Sequence, residues 1–527
     1  MRRLACVVAL VALLFAALPA SAQGHRAYDD VVTNHDDGTE IAVTVFRPAG
    51  SSAAAPAPVV LHSHGWGGSR ETAVGAAVKP YLDAGFGVVS FDQRGHGDSS
   101  GQAYIQDPTR ETEDVKAVID FVAGLDWVRL EAPGDPVLGA IGGSYGGAYQ
   151  TMTALDEIAD EGATRFDALA PQITWFDLPE SLAPQKVVRT AWVLALYGAG
   201  SSMLPQHVHE AFVWGSATGQ WPDGTLYDQP APAAPDIDSV LAENGPRAFV
   251  ERGIRIDVPV LLRQGASDNL FDLNEGLKIF ERALTDEARA QSYFVSFNGG
   301  HALPNALPPG EPADVQVGGG VDACTDFTAT TIEFFERVFS GTTTGGLLPA
   351  RYNFTAVDGK TCLRTGSVPA RKQLTVAGPF GTGEIVTTAG GGAPQHLPLL
   401  DGPANVAGVP VLEGKVTSAA LDGRAFFGLA IGTTPADARV VHNNLLPLRR
   451  AVPVTDSEFE IELPGVVAKV PAGKTLYLTV TPVSDMFFGH GSRTPGAMVL
   501  TDVSIGLPLT NCAKVKAKFH GTFDYCR

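Results

Sequence analysis

The fold of this chain is decided by a stretch that reads Ile-Gly-Gly-Ser-Tyr-Gly-Gly over residues 141–147. An apolar run of strand length precedes it, and a run of good helix formers follows it. Such a sharp strand-to-helix turn admits only small residues beside Ser144 and lifts the serine hydroxyl above the sheet. The stretch therefore predicts Ser144 as a nucleophile. It also puts the backbone N–H of Tyr145 at a helix N-terminus, where that group can donate to an oxyanion.

The Gly-x-Ser-x-Gly pattern is weak by itself, because a chain with 59 glycines can contain it by chance in an ordinary loop. Its surroundings strengthen it. Predicted strands at 59–62 and 87–91 precede the stretch, and others at 258–264 and 292–297 follow it. Helical patterns separate these strands. Such alternation predicts an α/β domain with a parallel sheet and helices on both faces.

A serine hydroxyl needs a base to take its proton and an acid to orient that base. Asp268 follows the predicted strand at 258–264, and His301 follows the strand at 292–297. The order Ser144, Asp268, His301 is typical of a triad on successive strand ends of one parallel sheet. The alternative is that Asp268 caps a helix and His301 is a loop histidine. Asp272 is a rival acid, but it is expected to enter the next helix.

The second oxyanion donor is predicted at the end of another strand. His64, Gly65 and Trp66 follow the strand at 59–62, so the Trp66 backbone N–H can approach the reacting carbonyl. The Trp66 indole is also expected to line the substrate pocket. His64 is predicted to brace this loop through hydrogen bonds, and residues 92–97 are predicted to form a charged turn beside it.

Between residues 164 and 246 the alternation lapses, and aromatic residues and prolines, Trp175 among them, become frequent. We interpret this part as an inserted cap, with Trp175 as a substrate contact; a helical layer that never touches substrate is the alternative. After residue 345, short strand-like runs between Gly, Pro and Asp turns predict an all-β domain. The predicted segments are a signal peptide at 1–22, the first part of the α/β domain at 23–164, the cap at 165–250, the second part of the α/β domain at 251–345, and a β-sandwich at 346–527.

Residues 1–22 have the three parts of a secretory signal peptide: Arg2 and Arg3, an apolar run, and a small-residue cleavage site before Gln23. The chain is therefore expected to be secreted or periplasmic, although a membrane anchor is the alternative. No later stretch is long and apolar enough to span a bilayer. Four cysteines follow the leader. Three pairings are possible, and proximity favours Cys512 with Cys526, which leaves Cys324 with Cys362.

A formal net charge of −19 argues against binding to nucleic acid or anionic lipid, both of which require a basic surface. His207 and His209 do not share a helix face, so an exposed pair is favoured over a metal site. His490 is expected to be an ordinary loop residue of the β domain. No glycine-rich nucleotide motif follows a strand, and no metal or cofactor is expected. The expected partner is a small-molecule ester or peptide substrate, and the oligomeric state is left open.

The chain resembles α/β-hydrolases of the X-Pro dipeptidyl-peptidase and cocaine-esterase type. The resemblance depends on residues 142–147, on Trp127 before that strand, and on residues 175–178, which open the cap. Residues 258–261 leading to Asp268, and Gly300 with His301, complete it. A jelly-roll C-terminal domain belongs to the same family pattern, and residues 406–412 resemble one of its strands.

The resemblance implies an exported serine hydrolase acting on ester or amide bonds, with Ser144, Asp268 and His301 as the triad. Relatives similar to cocaine esterase use a tyrosine hydroxyl as the second oxyanion donor, but Trp66 has no hydroxyl. An acyl esterase is favoured. An X-Pro dipeptidyl-peptidase is the alternative, and it needs acids such as Asp177 and Glu180 to hold the substrate amine. A catalytically inactive protein that binds a polymer or a surface is a further alternative.

Overall fold

The computed structural model describes residues 25–301, 322–368, 374–377, 385–388, 392–510, 514–517 and 521–524. The strands of the first part of the chain are β1 (Arg26–Thr33), β2 (Glu40–Arg47), β3 (Val59–Ser63), β4 (Gly87–Phe91), β5 (Leu130–Ala132), β6 (Asp135–Pro136), β7 (Leu138–Gly143), β8 (Ala168–Gln172), β9 (Thr225–Leu226), β10 (Gln229–Pro230), β11 (Leu261–Gly265), β12 (Tyr293–Phe297), β13 (Tyr352–Thr355) and β14 (Cys362–Thr365). The helices are α1 (Lys79–Asp83), α2 (Glu111–Ala123), α3 (Tyr145–Glu161), α4 (Leu178–Leu182), α5 (Thr190–Gly200), α6 (Gln206–Thr218), α7 (Ile237–Ala242), α8 (Pro246–Glu251), α9 (Leu273–Lys278), α10 (Asp286–Ala290) and α11 (Phe327–Phe339).

Ten of these strands form one sheet in the order β1-β2-β4-β3-β7-β8-β11-β12-β13-β14. The pairs from β4 to β13 are parallel, and β1, β2 and β14 add antiparallel edges. The predicted parallel sheet is therefore present. Because these central strands are parallel, the carboxyl ends of β3, β7, β11 and β12 lie at the same edge of the sheet, where ligand sites of such sheets lie.

Both faces of the sheet are covered, and this explains why its central strands read as continuous apolar runs. Val59 and Leu61 of β3 point into a core shared with α2, α3 and α9. Val60, between them, points into a second core on the other face, shared with α1 and α11. The period of two along a strand thus divides neighbouring residues between the two layers.

The segment between β8 and β11 contains α4 to α8, and we call it the cap because the sequence predicts a cap there. Three strands of the sheet, β8, β13 and β14, lie outside the predicted bounds of the α/β domain. Residues 168–172, which the sequence assigned to the cap, form β8 of the central sheet, although Pro171 disfavours a strand because it lacks an N–H. Residues 352–365, which the sequence assigned to the β domain, return as β13 and β14 and extend the sheet past residue 345.

The C-terminal part of the chain is an all-β domain, and its strands are β15 (Leu374–Ala377), β16 (Ile385–Thr388), β17 (Gln395–Asp401), β18 (Ala404–Gly408), β19 (Val411–Ser418), β20 (Gly423–Gly432), β21 (Arg439–Val440), β22 (Leu446–Arg450), β23 (Val454–Glu462), β24 (Val466–Val470), β25 (Thr475–Thr481), β26 (Ala497–Leu507), β27 (Lys514–Ala517) and β28 (Gly521–Asp524). A five-stranded sheet containing β19 and β26 and a seven-stranded sheet containing β20 and β25 share one apolar core. The jelly-roll topology stays a prediction.

The β domain packs firmly on the rest of the chain. Ala407, Val409 and Val467 enter the core beneath the central sheet. Phe426 and Phe487 pack against Val187 of the cap. A segment that is distant in sequence thus packs against the cap.

Cys324 and Cys362 form a disulfide, as sequence proximity predicted. Cys512, Cys526 and the leader at 1–22 lie outside the described residues, so those assignments stay predictions. Across the described ranges, no helix is both long and apolar enough to cross a membrane.

Candidate active site

Ser144 stands between β7 and α3 on a strained turn. Its backbone has φ 59° and ψ −122°, a region that residues other than glycine rarely adopt. The Ser144 N–H donates to the Gln172 carbonyl at 2.9 Å, which ties the turn to β8. A Cβ atom on Gly146 would overlap the Ser63 carbonyl, so only glycine fits there. The strand, turn and helix predicted around the serine are all present.

Asp268 and His301 meet at the neighbouring strand ends. The Nδ1 atom of His301 lies 2.7 Å from Oδ2 of Asp268, and the His301 backbone N–H donates to the same oxygen at 3.0 Å. The N–H groups of Leu270 and Phe271 donate to Oδ1 at 3.0 and 2.8 Å. Asp268 is fully buried, and its carboxylate is contacted by three backbone N–H groups and by the His301 imidazole. This arrangement holds the imidazole with its Nδ1 toward the acid.

The β domain braces the loop that carries Asp268. The Asn444 side-chain amide donates to the Asp268 backbone carbonyl at 3.1 Å. His442 is buried beside it; its Nε2 lies 2.9 Å from the Val467 N–H and 3.1 Å from the Val467 carbonyl, and its Nδ1 faces Ser267. That Nδ1 contacts the Ser267 hydroxyl at 3.0 Å. Burial lowers the pKa of His442 to about 4, which keeps the ring neutral in this role.

Trp66 lies in a tight turn next to Ser144. The Gly68 N–H donates to the Gly65 carbonyl at 2.9 Å, and Gly67 has φ +72°, which makes this a type II turn with Trp66 at its second position. A Cβ atom on Gly65 would lie 3.7 Å from the Ser144 Cβ, so the turn lies directly against the serine. The backbone N–H at the second position is not used by the turn's own hydrogen bond and can donate to a ligand.

The Trp66 indole is held by the cap. Its Nε1–H donates to the Leu196 carbonyl of α5 at 2.9 Å, and its ring meets the Tyr145 ring edge-on at 5.1 Å. A Cβ atom on Gly200 would collide with the same indole, so that glycine permits the close approach of α5. The indole N–H is therefore occupied and is not a free oxyanion donor.

Ser144, Tyr145, Trp66 and Trp175 line one cavity of about 500 Å³. Its walls are mostly apolar side chains of the cap, such as Leu178, Val193 and Trp221. His301 is not one of the residues that line this cavity, but its imidazole packs edge-on, at 5.2 Å between ring centroids, against Phe271, which does line it.

The segment at 92–97 and His64 brace the site, as predicted. Asp92 is fully buried and pairs with Arg70, while Arg94 pairs with Asp114 through two hydrogen bonds of 2.6 and 2.7 Å. The His64 Nε2 accepts the Gln93 N–H at 3.1 Å, and its Nδ1 contacts the Gly65 carbonyl at 2.8 Å. Burial lowers the pKa of His64, so the ring is neutral.

Asp177 and Glu180 lie at a different cavity, of about 470 Å³, between the cap and the β domain. Asp177 pairs with Arg247 at 2.6 Å and accepts the Glu180 N–H at the start of α4. Neither acid is among the residues that line the Ser144 cavity. Asp272, the rival acid, pairs with Arg189 at 3.1 Å at the start of α9, where the sequence predicted it to enter a helix.

Three other histidines considered from the sequence are His207, His209 and His490. His207 is exposed, whereas His209 is half-buried and its Nδ1 contacts the Tyr197 hydroxyl at 2.8 Å. His490 is not simply a loop residue, because it is buried and lines the Ser144 cavity together with Phe488 and Arg493. Sequence reasoning missed this loop, since nothing local in a Gly-rich β-domain turn indicates which surface it will cover.

A family model described as "X-Pro dipeptidyl-peptidase (S15 family)" matches residues 37–302. That span is half of the chain and contains Ser144, Asp268 and His301. The chain belongs to this family. It is an enzyme of the serine hydrolase type, an esterase or a peptidase.

Solved structures share the fold over nearly the whole chain. A CocE/NonD family hydrolase from Staphylococcus aureus has a TM-score of 0.61 and 13% identity, covering 92% of this chain and 93% of its own. An α-amino acid ester hydrolase has the same TM-score and identity, covering 94% and 98%. At this identity the likeness shows the fold alone.

The curated relatives match this chain over shorter regions. A proposed serine esterase of Mycobacterium bovis is 24% identical over 205 residues, which are 36% of this chain and 31% of that protein. The quorum-quenching protein AidA of Acinetobacter baumannii is 31% identical over 115 residues, or 21% and 35%. The chain spans about two fifths or less of the length of the curated relatives that it matches.

Proposed function

We propose that this chain is an acyl esterase in which Ser144 is the nucleophile, His301 the base and Asp268 the acid. His301 takes the Ser144 proton as the hydroxyl oxygen attacks the ester carbon. Asp268 holds the imidazole and stabilises its cation. The alcohol leaves with that proton, and an acyl-enzyme remains. Water, activated by His301, then adds to the acyl carbon, and the carboxylic acid leaves Ser144.

The N–H groups of Tyr145 and Trp66 hold the oxyanion in this mechanism. Tyr145 is the first residue of the 17-residue helix α3, and N–H groups of a first helical turn have no intrahelical partner. The Trp66 N–H stands at the second position of the turn beside Ser144. Tyr145 and Trp66 also supply aromatic wall for the substrate, together with Trp175.

The cavity wall is the observation that favours an esterase over an X-Pro dipeptidyl-peptidase. A free substrate amine is a cation, and its burial requires carboxylates. Among the described residues that line the Ser144 cavity there is no aspartate or glutamate. The acids considered for that role, Asp177 and Glu180, face the other cavity and have cationic neighbours, Arg247 and Lys278.

The test combines an activity-based probe with a substrate panel. A fluorophosphonate should label the wild type and should not label Ser144→Ala. Equal labelling of the two proteins, or no labelling of either protein, would contradict the serine hydrolase mechanism and favour an inactive binding protein. p-Nitrophenyl acyl esters should be cleaved far faster than Gly-Pro-p-nitroanilide. The reverse preference would identify a dipeptidyl-peptidase.

Export is part of this proposal. The Cys324–Cys362 disulfide supports it, because disulfides persist in oxidising compartments. Expression in a bacterium with an intact export system should give mature protein that begins at Gln23. N-terminal sequencing of the secreted or periplasmic fraction checks this, and full-length protein confined to the cytosol would contradict it.

A further inference from the structure

The Ser144 cavity contains a polar end built by the β domain. Phe488, Gly489, His490 and Arg493 all line it, and they come from the loop between β25 and β26. Arg493 is the one residue with a permanent charge among the described residues of the cavity wall. An apolar cavity with a nucleophile and a single guanidinium is suited to a ligand that has a reactive group, an apolar chain and an anionic group.

Arg493 is only partly engaged by protein groups. Its Nη2 donates to the Gly219 carbonyl of the cap, and its Nε lies 3.7 Å from Oδ2 of Asp422. That distance exceeds a hydrogen bond, and within the described part of the chain Nε has no partner. The side chain is 25% exposed, and Arg493 is one of the residues that line the cavity.

The charges around Arg493 do not cancel. Buried Asp422 already accepts hydrogen bonds from Arg424 and Arg449, the latter at 2.7 Å, and from the Gln220 amide at 2.8 Å. Asp228 also pairs with Arg449, at 2.9 Å. Three guanidinium groups therefore share two carboxylates among the described residues of this cluster. One positive charge is left, and Arg493 presents it to the cavity.

His490 adds a second group at the same end. It is only 8% exposed, and its Nδ1 has no hydrogen-bond partner among the described residues. Burial, together with Arg424 and Arg493, lowers the pKa of His490 to about 3, so the ring is neutral. A neutral imidazole carries one N–H, which can donate to an anion without adding a charge.

We propose that Arg493 and His490 form a carboxylate subsite, and that the enzyme prefers esters whose apolar acyl chain ends in a carboxylate remote from the ester. The acyl carbon is placed at Ser144, the methylene chain along the apolar cap, and the carboxylate at Arg493. A guanidinium recognises a carboxylate through paired, charge-assisted hydrogen bonds. This inference rests on the proposed esterase function.

The experiment compares esters of equal chain length that differ only at the far end. The mono-p-nitrophenyl esters of adipate, suberate and sebacate are set against p-nitrophenyl hexanoate, octanoate and decanoate. For at least one length, the wild-type kcat/KM should be about tenfold or more higher for the carboxylate ester, the size expected for one charged hydrogen-bonded contact. Arg493→Met should abolish this preference, and Arg493→Lys should keep part of it.

The quantity measured is the ratio of kcat/KM for the two esters in the same enzyme preparation, so a general loss of active protein cancels. Arg439→Met, at an exposed arginine of the β domain, is the matched control and should keep the wild-type ratio. Suberate should also inhibit hydrolysis of p-nitrophenyl acetate by the wild type more strongly than octanoate does.

Two different failures can be told apart. If Ser144→Ala cleaves the neutral esters as fast as the wild type does, the proposed esterase mechanism is wrong. If the neutral esters require Ser144 but no carboxylate ester is preferred, or if Arg493→Met keeps the preference, only the carboxylate subsite is wrong.

Discussion

Replacing Asp268 by asparagine should separate catalysis from folding. The amide keeps the size of the carboxylate but turns one acceptor oxygen into an NH2 group. If this NH2 replaces Oδ1, the N–H groups of Leu270 and Phe271 both lose their acceptor. If it replaces Oδ2, the His301 backbone N–H loses its acceptor, while the imidazole can move its own proton from Nδ1 to Nε2.

The second orientation is favoured because it leaves one buried donor unsatisfied instead of two, and each costs about 1–3 kcal/mol. Its consequence is a histidine with the proton on Nε2, which cannot accept the proton of Ser144. Asp268→Asn should therefore lose only about 1–3 kcal/mol of unfolding free energy, while kcat falls about 10⁴-fold, as for other triads with this change.

Asp272→Asn is the matched control, since Asp272 is the neighbouring acid and is also buried. It would leave the buried Arg189 without its carboxylate, which costs about 3–5 kcal/mol of stability. Its kcat should stay within about tenfold of the wild type, because its partner is outside the Ser–His–Asp arrangement. The assays are p-nitrophenyl ester kinetics and urea unfolding at low temperature. A folded Asp268→Asn enzyme with a tenth or more of wild-type kcat, or an Asp272→Asn enzyme equally inactive, would refute this reasoning.

Three further predictions follow from local geometry. Trp66→Pro removes the backbone N–H at a turn position that accepts proline, so kcat should fall about 100- to 1000-fold. Trp66→Ala keeps this N–H and should chiefly raise KM. Equal kcat values in the two variants would contradict the oxyanion role of the Trp66 N–H. Gly200→Ala should lower the unfolding free energy by about 1–3 kcal/mol, because the new Cβ atom displaces the Trp66 indole. Gly198→Ala, whose Cβ atom would meet open space, should raise the unfolding free energy by about 0.5–1 kcal/mol. Thermal or urea unfolding measures both changes, and a stabilised Gly200→Ala variant would show that the indole is not confined. Burial raises the pKa of Glu111 to about 8, so the folded protein keeps a proton that the unfolded chain releases above its usual pKa of about 4.5. This contribution to stability is therefore full at low pH and is lost as the pH rises toward 8. The measurement is the difference in unfolding free energy between the wild type and Glu111→Gln. This difference should fall by up to about 1.4 kcal/mol per pH unit between about pH 5 and 8. A difference that does not change with pH would show that Glu111 is not protonated in the folded protein.

Local sequence patterns account for the central sheet and for the positions of the candidate site residues. Continuous apolar runs such as residues 59–62 predict strands buried on both faces, and the glycines around Ser144 predict the turn that holds it. Asp268 and His301 were found for the same reason, because residues that follow parallel strands are brought to one edge of the sheet. The sequence misassigned β8, since Pro171 is a local signal against a strand that the surrounding sheet overrides.

By itself, the sequence determined an α/β chain with a serine, an acid and a histidine in hydrolase order, followed by a β domain with no evident part in the site. Only the tertiary structure decided what surrounds Ser144. Asn444 reaches Asp268 from 176 positions along the chain, and Arg493 reaches Gly219 from 274 positions away. Such contacts depend on how whole domains pack, whereas hydrophobic periodicity and turn composition report only on neighbours along the chain. Seven residues of sequence were therefore enough to predict Ser144 as a candidate nucleophile, but the cavity beside it could not be predicted from them.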